Sequence, residues 1–207
     1  NTSEAQVDKN WGISVLPPSI RLNPVTNEII ESKSTLTRQL SSLSNMLQSN
    51  WVYDGKSVNL QSARGEYISY QLVLTNYSQE VLNNIQITST RFKNGSSTIA
   101  IDPELFLEWS VEVLTPSTGY PNATLGKGWY PDALIPFEML QLDSSKVQRW
   151  TYPIRLPDFN NRIEGQKSLI VWVDQYVPFD RNEALPGHYT SSIEVTIGDR
   201  TEKIPVE

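Results

Sequence analysis

With 207 residues and a net charge of −6 at pH 7, the chain has length for one sizeable core and carries no basic cluster, which argues against a nucleic-acid surface. It contains no cysteine, so disulfides and thiolate chemistry are excluded. No apolar run approaches the roughly 20 residues that cross a bilayer as a helix. Only 19 % of residues are charged, and Trp and Tyr are plentiful, a mix that suits short strands joined by ordered loops.

The first ten residues are polar and lack the apolar centre of a signal peptide, so any export signal is expected to have been removed already. Trp11–Leu22 predicts the first strand, and Pro17-Pro18 confines it to an edge or splits it in two. Asn23-Pro24 through Asn27 reads as a turn. Over Thr35–Gln48, Leu36, Leu40, Leu43 and Leu47 recur at helical spacing, with Ser34 or Thr35 as N-cap. That spacing predicts one short amphipathic helix near 35–48, packed on the sheets by its leucine stripe. Docking on a partner is the alternative use of such a stripe.

Strands resume at Trp51, where Asp54-Gly55 predicts a hairpin between Trp51–Tyr53 and Ser57–Leu60. Tyr67–Thr75 puts Ile68, Tyr70, Leu72 and Leu74 on one face and Ser69, Gln71 and Thr75 on the other; Val73 breaks the rule. Ile85 and Ile87 continue the alternation. Leu105, Leu107, Trp109, Val111 and Val113 predict an inward row, with Glu108, Ser110 and Glu112 facing out, and Trp150, Tyr152, Ile154 and Leu156 predict another. Ser168–Val177 is continuous β-former and Pro178–Gly187 a loop. Tyr189–Ile197 alternates again, Gly198-Asp199 is a two-residue hairpin turn, and Arg200–Val206 returns antiparallel. Sided alternation over this many strands predicts an all-β fold: an antiparallel β-sandwich of two stacked sheets forming a single domain over 1–207.

Thr115–Ser145 is the longest stretch without a clear strand pattern, and a long irregular connection is usually functional or anchored by its own large side chains. Tyr120, Trp129, Tyr130 and Phe137 supply such anchors. Tyr120, Trp129 and Tyr130 are also the candidate substrate-binding residues, since flat rings stack on the apolar faces of sugars. Burial is the commoner fate of such rings.

Catalytic and metal chemistry find little support. A glycosidase needs two carboxyl groups roughly 5–10 Å apart, for which Asp132 with Glu138, or Asp174 with Asp180, are the imaginable pairs. Turn capping and ion pairing are the ordinary roles of such carboxylates. Asp174 lies between apolar neighbours and needs a partner if buried. Arg64 and Glu66, flanking Gly65, suggest an ion pair. The single His188 is expected to be a surface or hydrogen-bonded side chain, neither a zinc ligand nor a triad member. Asp180, Asn182 and Glu183 lack the spacing of a calcium loop, and Gly126-Lys127-Gly128 lacks the context of a phosphate loop. No catalytic residue, metal or cofactor is assigned.

Three blocks then occur in order: Ala63-Arg64-Gly65-Glu66-Tyr67 continuing to Gln71-Leu72-Val73-Leu74; Gly128-Trp129-Tyr130-Pro131-Asp132-Ala133-Leu134-Ile135-Pro136; and Val171-Trp172-Val173-Asp174 through Val177-Pro178 to Pro186-Gly187-His188-Tyr189. Together they resemble the N-terminal β-sandwich domain that precedes the catalytic barrel in proteins similar to glycoside hydrolase family 123. The resemblance runs from about Ala63 to the last residue and includes neither the first sixty residues nor the leucine-rich segment. It implies a secreted or cell-surface bacterial protein whose reaction, hydrolysis of N-acetylgalactosamine glycosides, takes place on a barrel carrying an adjacent Asp-Glu pair. This chain has no Asp-Glu dipeptide. It is therefore expected to be a fragment, a non-catalytic accessory domain whose partner is a C-terminal barrel of the same polypeptide. An independent carbohydrate-binding module, with a glycan as partner, is the alternative.

Overall fold

The computed structural model describes residues 10–33, 45–116, 125–140 and 152–207. The fold is all-β and antiparallel. Strands β1 (Trp11–Leu16), β2 (Tyr67–Asn76), β6 (Glu104–Val113), β7 (Gly128–Pro136) and β8 (Ser168–Tyr176) form one sheet in the order β1-β2-β8-β6-β7. Strands β3 (Gln86–Ser89), β9 (Ser191–Ile197) and β10 (Arg200–Val206) form a second in the order β10-β9-β3, and β4 (Lys93–Asn94) with β5 (Ser97–Thr98) makes a small ribbon. The helical elements that lie wholly within the described residues are a 3-10 turn at Ile30–Lys33 and one turn of α1 (Phe137–Leu140), neither long enough to cross a membrane.

Alternation decides how the sheets stack. Along β2 and β8, Tyr70, Leu72, Leu74, Leu169, Val171 and Val173 project from one face and meet Ile87, Ile193, Val195, Ile204 and Val206 of the smaller sheet in a common core. The β9–β10 hairpin pairs Ile197 with Arg200 around Gly198-Asp199, as the turn residues predict. Gly198, at φ +59°, occupies the left-handed region such a turn needs. The strand limits expected for β8, β9 and β10 fall within two residues of those observed.

The opposite face of the larger sheet carries a core of its own. Val73, the residue that broke the alternation, pairs with Ile170 in register, and both are buried under Leu16, Ile20, Leu22, Ile29 and Met46. The chain leaving β1 folds back to supply this cover. Gln71, 1 % exposed, fastens it by donating from Nε2 to Pro17 O and Ile20 O, each at 2.7 Å. β1 is an edge strand that stops at Leu16, since Pro17-Pro18 has no N–H with which to continue the ladder to β2.

Four expectations are corrected. Thr115–Ser145 is not a wholly irregular loop, because Gly128–Pro136 is the edge strand β7, paired with β6 from Phe106↔Pro136 to Val113↔Gly128. Its prolines masked the strand, yet an edge position tolerates residues without an N–H. The register shifts between Trp109 and Ser110, and the predicted inward row inverts beyond it: Ser110 is buried and Val111 exposed. Tyr152–Leu156 is not a strand; it runs beside Leu82–Ile85 with one bridge, Leu82↔Leu156, though Ile154 and Leu156 are buried as their pattern implied, and Trp150 lies outside the described residues. The Asp54-Gly55 hairpin shrinks to the single bridge Tyr53↔Val58, closed by Asp54 Oδ1 accepting from the Lys56 and Ser57 N–H groups. The helix expected near 35–48 falls largely outside the described residues. Its last residues close a turn in which Gln48 N–H donates to Asn45 O, with Met46 buried in the outer core.

Candidate functional site

The two blocks that bracket the larger sheet's central strands converge in space. Gly65 N–H donates to Val177 O and Val177 N–H to Glu66 O, both at 2.8 Å, so β2 is entered and β8 is left at the same point. Gly65 lies at φ +82°, and a Cβ there would stand 3.0 Å from Phe179 Cδ2. The position therefore needs glycine twice over: for its left-handed backbone and for the ring that lies against it.

Here the sandwich opens into a cavity of about 510 Å³, walled by Leu60, Ile68, Phe92, Ile99, Leu185 and Tyr189. Phe179 stands at its rim 79 % exposed. Leu60, Ile68 and Glu207 are shared with an adjoining groove of about 630 Å³ that reaches Trp51, which is 60 % exposed. The result is a furrow from Trp51 to Phe179, apolar around Phe179 and mixed toward Trp51, where Asn59, Gln61, Ser69 and His188 join its lining. Phe179 and Leu185 line the same cavity and both stand exposed, and grouped apolar side chains left in water mark a contact surface more often than an accident of folding.

Its polar members include Arg64, Gln175 and His188. Gln175 is buried; its Nε2 donates to Tyr176 O at 2.6 Å and Ile101 O at 3.3 Å, and its Oε1 has no partner. Arg64 lines the cavity, and the expected Arg64–Glu66 ion pair is not formed. Glu66 instead accepts from the Ala63 N–H at 2.9 Å and the Ser62 hydroxyl, closing its own tight turn, which leaves the Arg64 guanidinium without a protein partner. His188 is exposed and lies 3.4 Å from Glu207 Oε2 across the groove.

The ring residues singled out in the sequence sit elsewhere. Tyr120 lies outside the described residues. Trp129 and Tyr130 are consecutive on β7, opposite Glu112 and Val111, so their side chains leave opposite faces of the sheet and offer no shared flat surface. The Tyr130 hydroxyl donates to Gly126 O at 2.8 Å, and the Arg21 guanidinium stands 5.9 Å from its ring. Phe137 is buried in the main core. Asp174 has the partners its burial calls for, accepting from the Ser69 hydroxyl and from Trp172 Nε1–H. Asp180 caps its own turn through the Asn182 N–H at 2.8 Å. Among the described residues, no group of three or more His, Cys, Asp and Glu is placed to hold a metal ion.

Three groups escaped the sequence reading: Gln71, Glu108 and Gln175. Gln175 had a visible signal, since it follows Val171 and Val173 at the same inward parity where an apolar residue belongs. The carboxyl of Glu108 is largely buried, and burial pushes it up to about 7. Its Oε2 has no hydrogen-bond partner.

No protein-family model matches the chain, and no curated protein matches it either. Among solved structures, the fold is similar to that of a family 123 glycoside hydrolase from Clostridium perfringens, described in terms of glycolipid glycan hydrolysis, with a TM-score of 0.59 and 14 % identity. The match covers 95 % of this chain and 26 % of that one, so the chain spans about a quarter of that protein's length. At this identity the likeness is one of fold: the chain has a fold found within a family 123 glycoside hydrolase.

Proposed function

We propose that this chain is a non-catalytic accessory β-sandwich of an exported bacterial glycoside hydrolase, of the type that releases N-acetylgalactosamine from glycans, and that it packs against a catalytic barrel of the same polypeptide. The observation that carries this reading is the mainly apolar cavity at the Phe179 end of the furrow, where Phe179 and Leu185 stand exposed. Two of the three blocks that resemble family 123 meet at that furrow. The fold likeness, covering a quarter of a longer hydrolase, supports the same assignment.

The furrow suits packing better than catalysis. Its walls offer shape and apolar area, while a hydrolytic site needs a facing pair of carboxyl groups. Arg64 supplies an unpaired charge at the rim, where it can meet a carboxylate of the docked domain. Calorimetry on the full-length polypeptide tests the reading. Docked domains melt together, and Phe179→Asp with Leu185→Asp is expected to split one transition into two. Unchanged melting overturns the docking. Hydrolysis of aryl N-acetylgalactosaminides by the 207-residue chain alone would refute the non-catalytic assignment. Saturable binding of galactosamine-containing glycans to the same chain, lost in Trp129→Ala or Tyr130→Ala, would make it an independent carbohydrate-binding module instead.

A further inference from the structure

The turn that carries Trp51 is braced from both sides. Asn50 Nδ2 donates to Val15 O at 2.8 Å and to Met46 O at 2.9 Å, and Asn50 Oδ1 accepts from the Val52 N–H at 3.0 Å. The Asn50 N–H donates to Tyr53 O at 2.7 Å. Tyr53 is buried in the main core and Val52 packs against it. Between these anchors Trp51 is left 60 % exposed, on the wall of the groove it shares with His188. Burying an aromatic ring removes about 150–250 Å² from water, most of which the fold forgoes here. A single exposed apolar residue is ordinary. An indole held out over a groove by a braced turn is a preformed platform.

The groove, of about 630 Å³, has the size of a small-ligand cleft. Asn59, Gln61, Ser69 and His188 line it and do not border the Phe179 cavity. Its polar groups have capacity to spare. Asn59 spends only its Nδ2, on Ser57 O at 3.3 Å and Ser57 Oγ at 3.5 Å. The exposed Gln61 amide has no partner among the described residues. The Ser69 hydroxyl donates to Asp174 and still can accept. Among the described residues, the ionic side chains on the groove are His188 and Glu207, which stand 3.4 Å apart and engage each other. An incoming ion therefore finds no uncommitted counter-charge. Amides and a hydroxyl around one indole suit a neutral ligand with hydroxyls at its edge and a flat C–H face, which is the form of a pyranose. A peptide partner would need a row of apolar pockets, and the exposed pair Phe179 and Leu185 belongs to the other end of the furrow.

We propose that the Trp51 groove binds a neutral saccharide, with one ring stacked on the Trp51 indole and its hydroxyls shared between the Asn59 and Gln61 amides. The site is separate from Trp129 and Tyr130 on β7. It stands whether or not a barrel docks at the Phe179 end.

The test follows the Trp51 Nε1–H resonance of the 207-residue chain, assigned through Trp51→Phe, while lactose, cellobiose and diacetylchitobiose are added in turn. At least one of these sugars is expected to give saturable shifts, with the Trp129 and Trp172 indole resonances unmoved. Affinities of variants are then compared by ligand-observed NMR. Trp51→Ala, at a mostly exposed position that the fold does not need, should weaken binding about tenfold or more. Gln61→Ala should weaken it about threefold, the effect of one neutral hydrogen bond, and Trp129→Ala should leave it unchanged. No shift with any of the sugars, equal shifts with sorbitol, which has the hydroxyls without the ring, or unchanged affinity in Trp51→Ala overturns the proposal. Loss of binding in Trp129→Ala would move the glycan to β7 and overturn it as well. Trp51→Ala in the full-length polypeptide should leave its melting transition whole; a split transition would make Trp51 a docking residue and overturn the saccharide site.

Discussion

The two faces of the larger sheet solve the same problem in different ways. The inner face is hydrocarbon where the second sheet covers it, with Leu72, Leu74, Val171 and Val173 buried there, and turns polar only at Gln175, whose Nε2 reaches Ile101 O. The outer face changes character along its length: Val73 and Ile170 under apolar cover, then Gln71 beside Trp172, then Ser69 beside Asp174. Where the cover is a sheet, inward positions favour apolar residues, because the facing strands spend their backbone groups on each other. Where the cover is an irregular segment, its free carbonyls require donors, and a glutamine in the sheet becomes the natural fastener. Polar residues on a buried face thus mark the places where loop backbone, and not strand, lies above.

Breaking the inner face should have the largest effect. Leu72→Ala removes a fully buried side chain between two sheets and is expected to cost about 2–5 kcal/mol, measured by denaturant unfolding. The outer face is sharpened by pH. Glu108 is raised from 4.5 in the unfolded chain to about 7 in the folded one. Between those values the folded state holds the extra proton, so stability attributable to this group falls as pH rises through the window and stays flat above it. The shift corresponds to a loss of at most about 3 kcal/mol, and a stability-versus-pH curve of Glu108→Gln should lack that slope. An identical slope in the variant would move the burial cost to another group.

A smaller effect is expected for Gln71→Leu. Pro17 O keeps its second donor, the Ile20 N–H, while Ile20 O loses its partner, so the cost is about 1–3 kcal/mol. A neutral result would mean that the apolar part of the cover holds the segment unaided. Smallest of all, Phe179→Ser in the isolated chain should change stability by less than about 0.5 kcal/mol, since the ring is mostly in water. A large loss there would make the furrow part of the core and not a surface.

These contrasts also explain what the sequence disclosed. The inner face was legible because alternation is a local signal: β8, β9 and β10 could be placed residue by residue from their own apolar rows. The outer face was not, because its logic is tertiary. Val73 read as an error until the chain from Pro17 to Lys33 was seen to lie over it. Gln71 read as solvent-facing for the same reason. Past Trp109 the bulge reversed a parity that no local pattern announces. The furrow was half legible: the blocks at Ala63–Tyr67 and Val177–Tyr189 stood out, but their meeting needed the β2–β8 pairing. Glu108 gave no hint at all, since a glutamate at an outward parity is what a solvated face also shows.

The placement of proline has a further consequence, for the behaviour of many copies together. The larger sheet ends on one side at β1, cut off by Pro17-Pro18, and on the other at β7, which carries Pro131 and Pro136. Proline cannot continue a ladder, so these residues shorten the regular backbone that either border offers to a neighbouring chain. In concentrated solution this placement disfavours sheet-to-sheet growth at the two ends of the larger sheet.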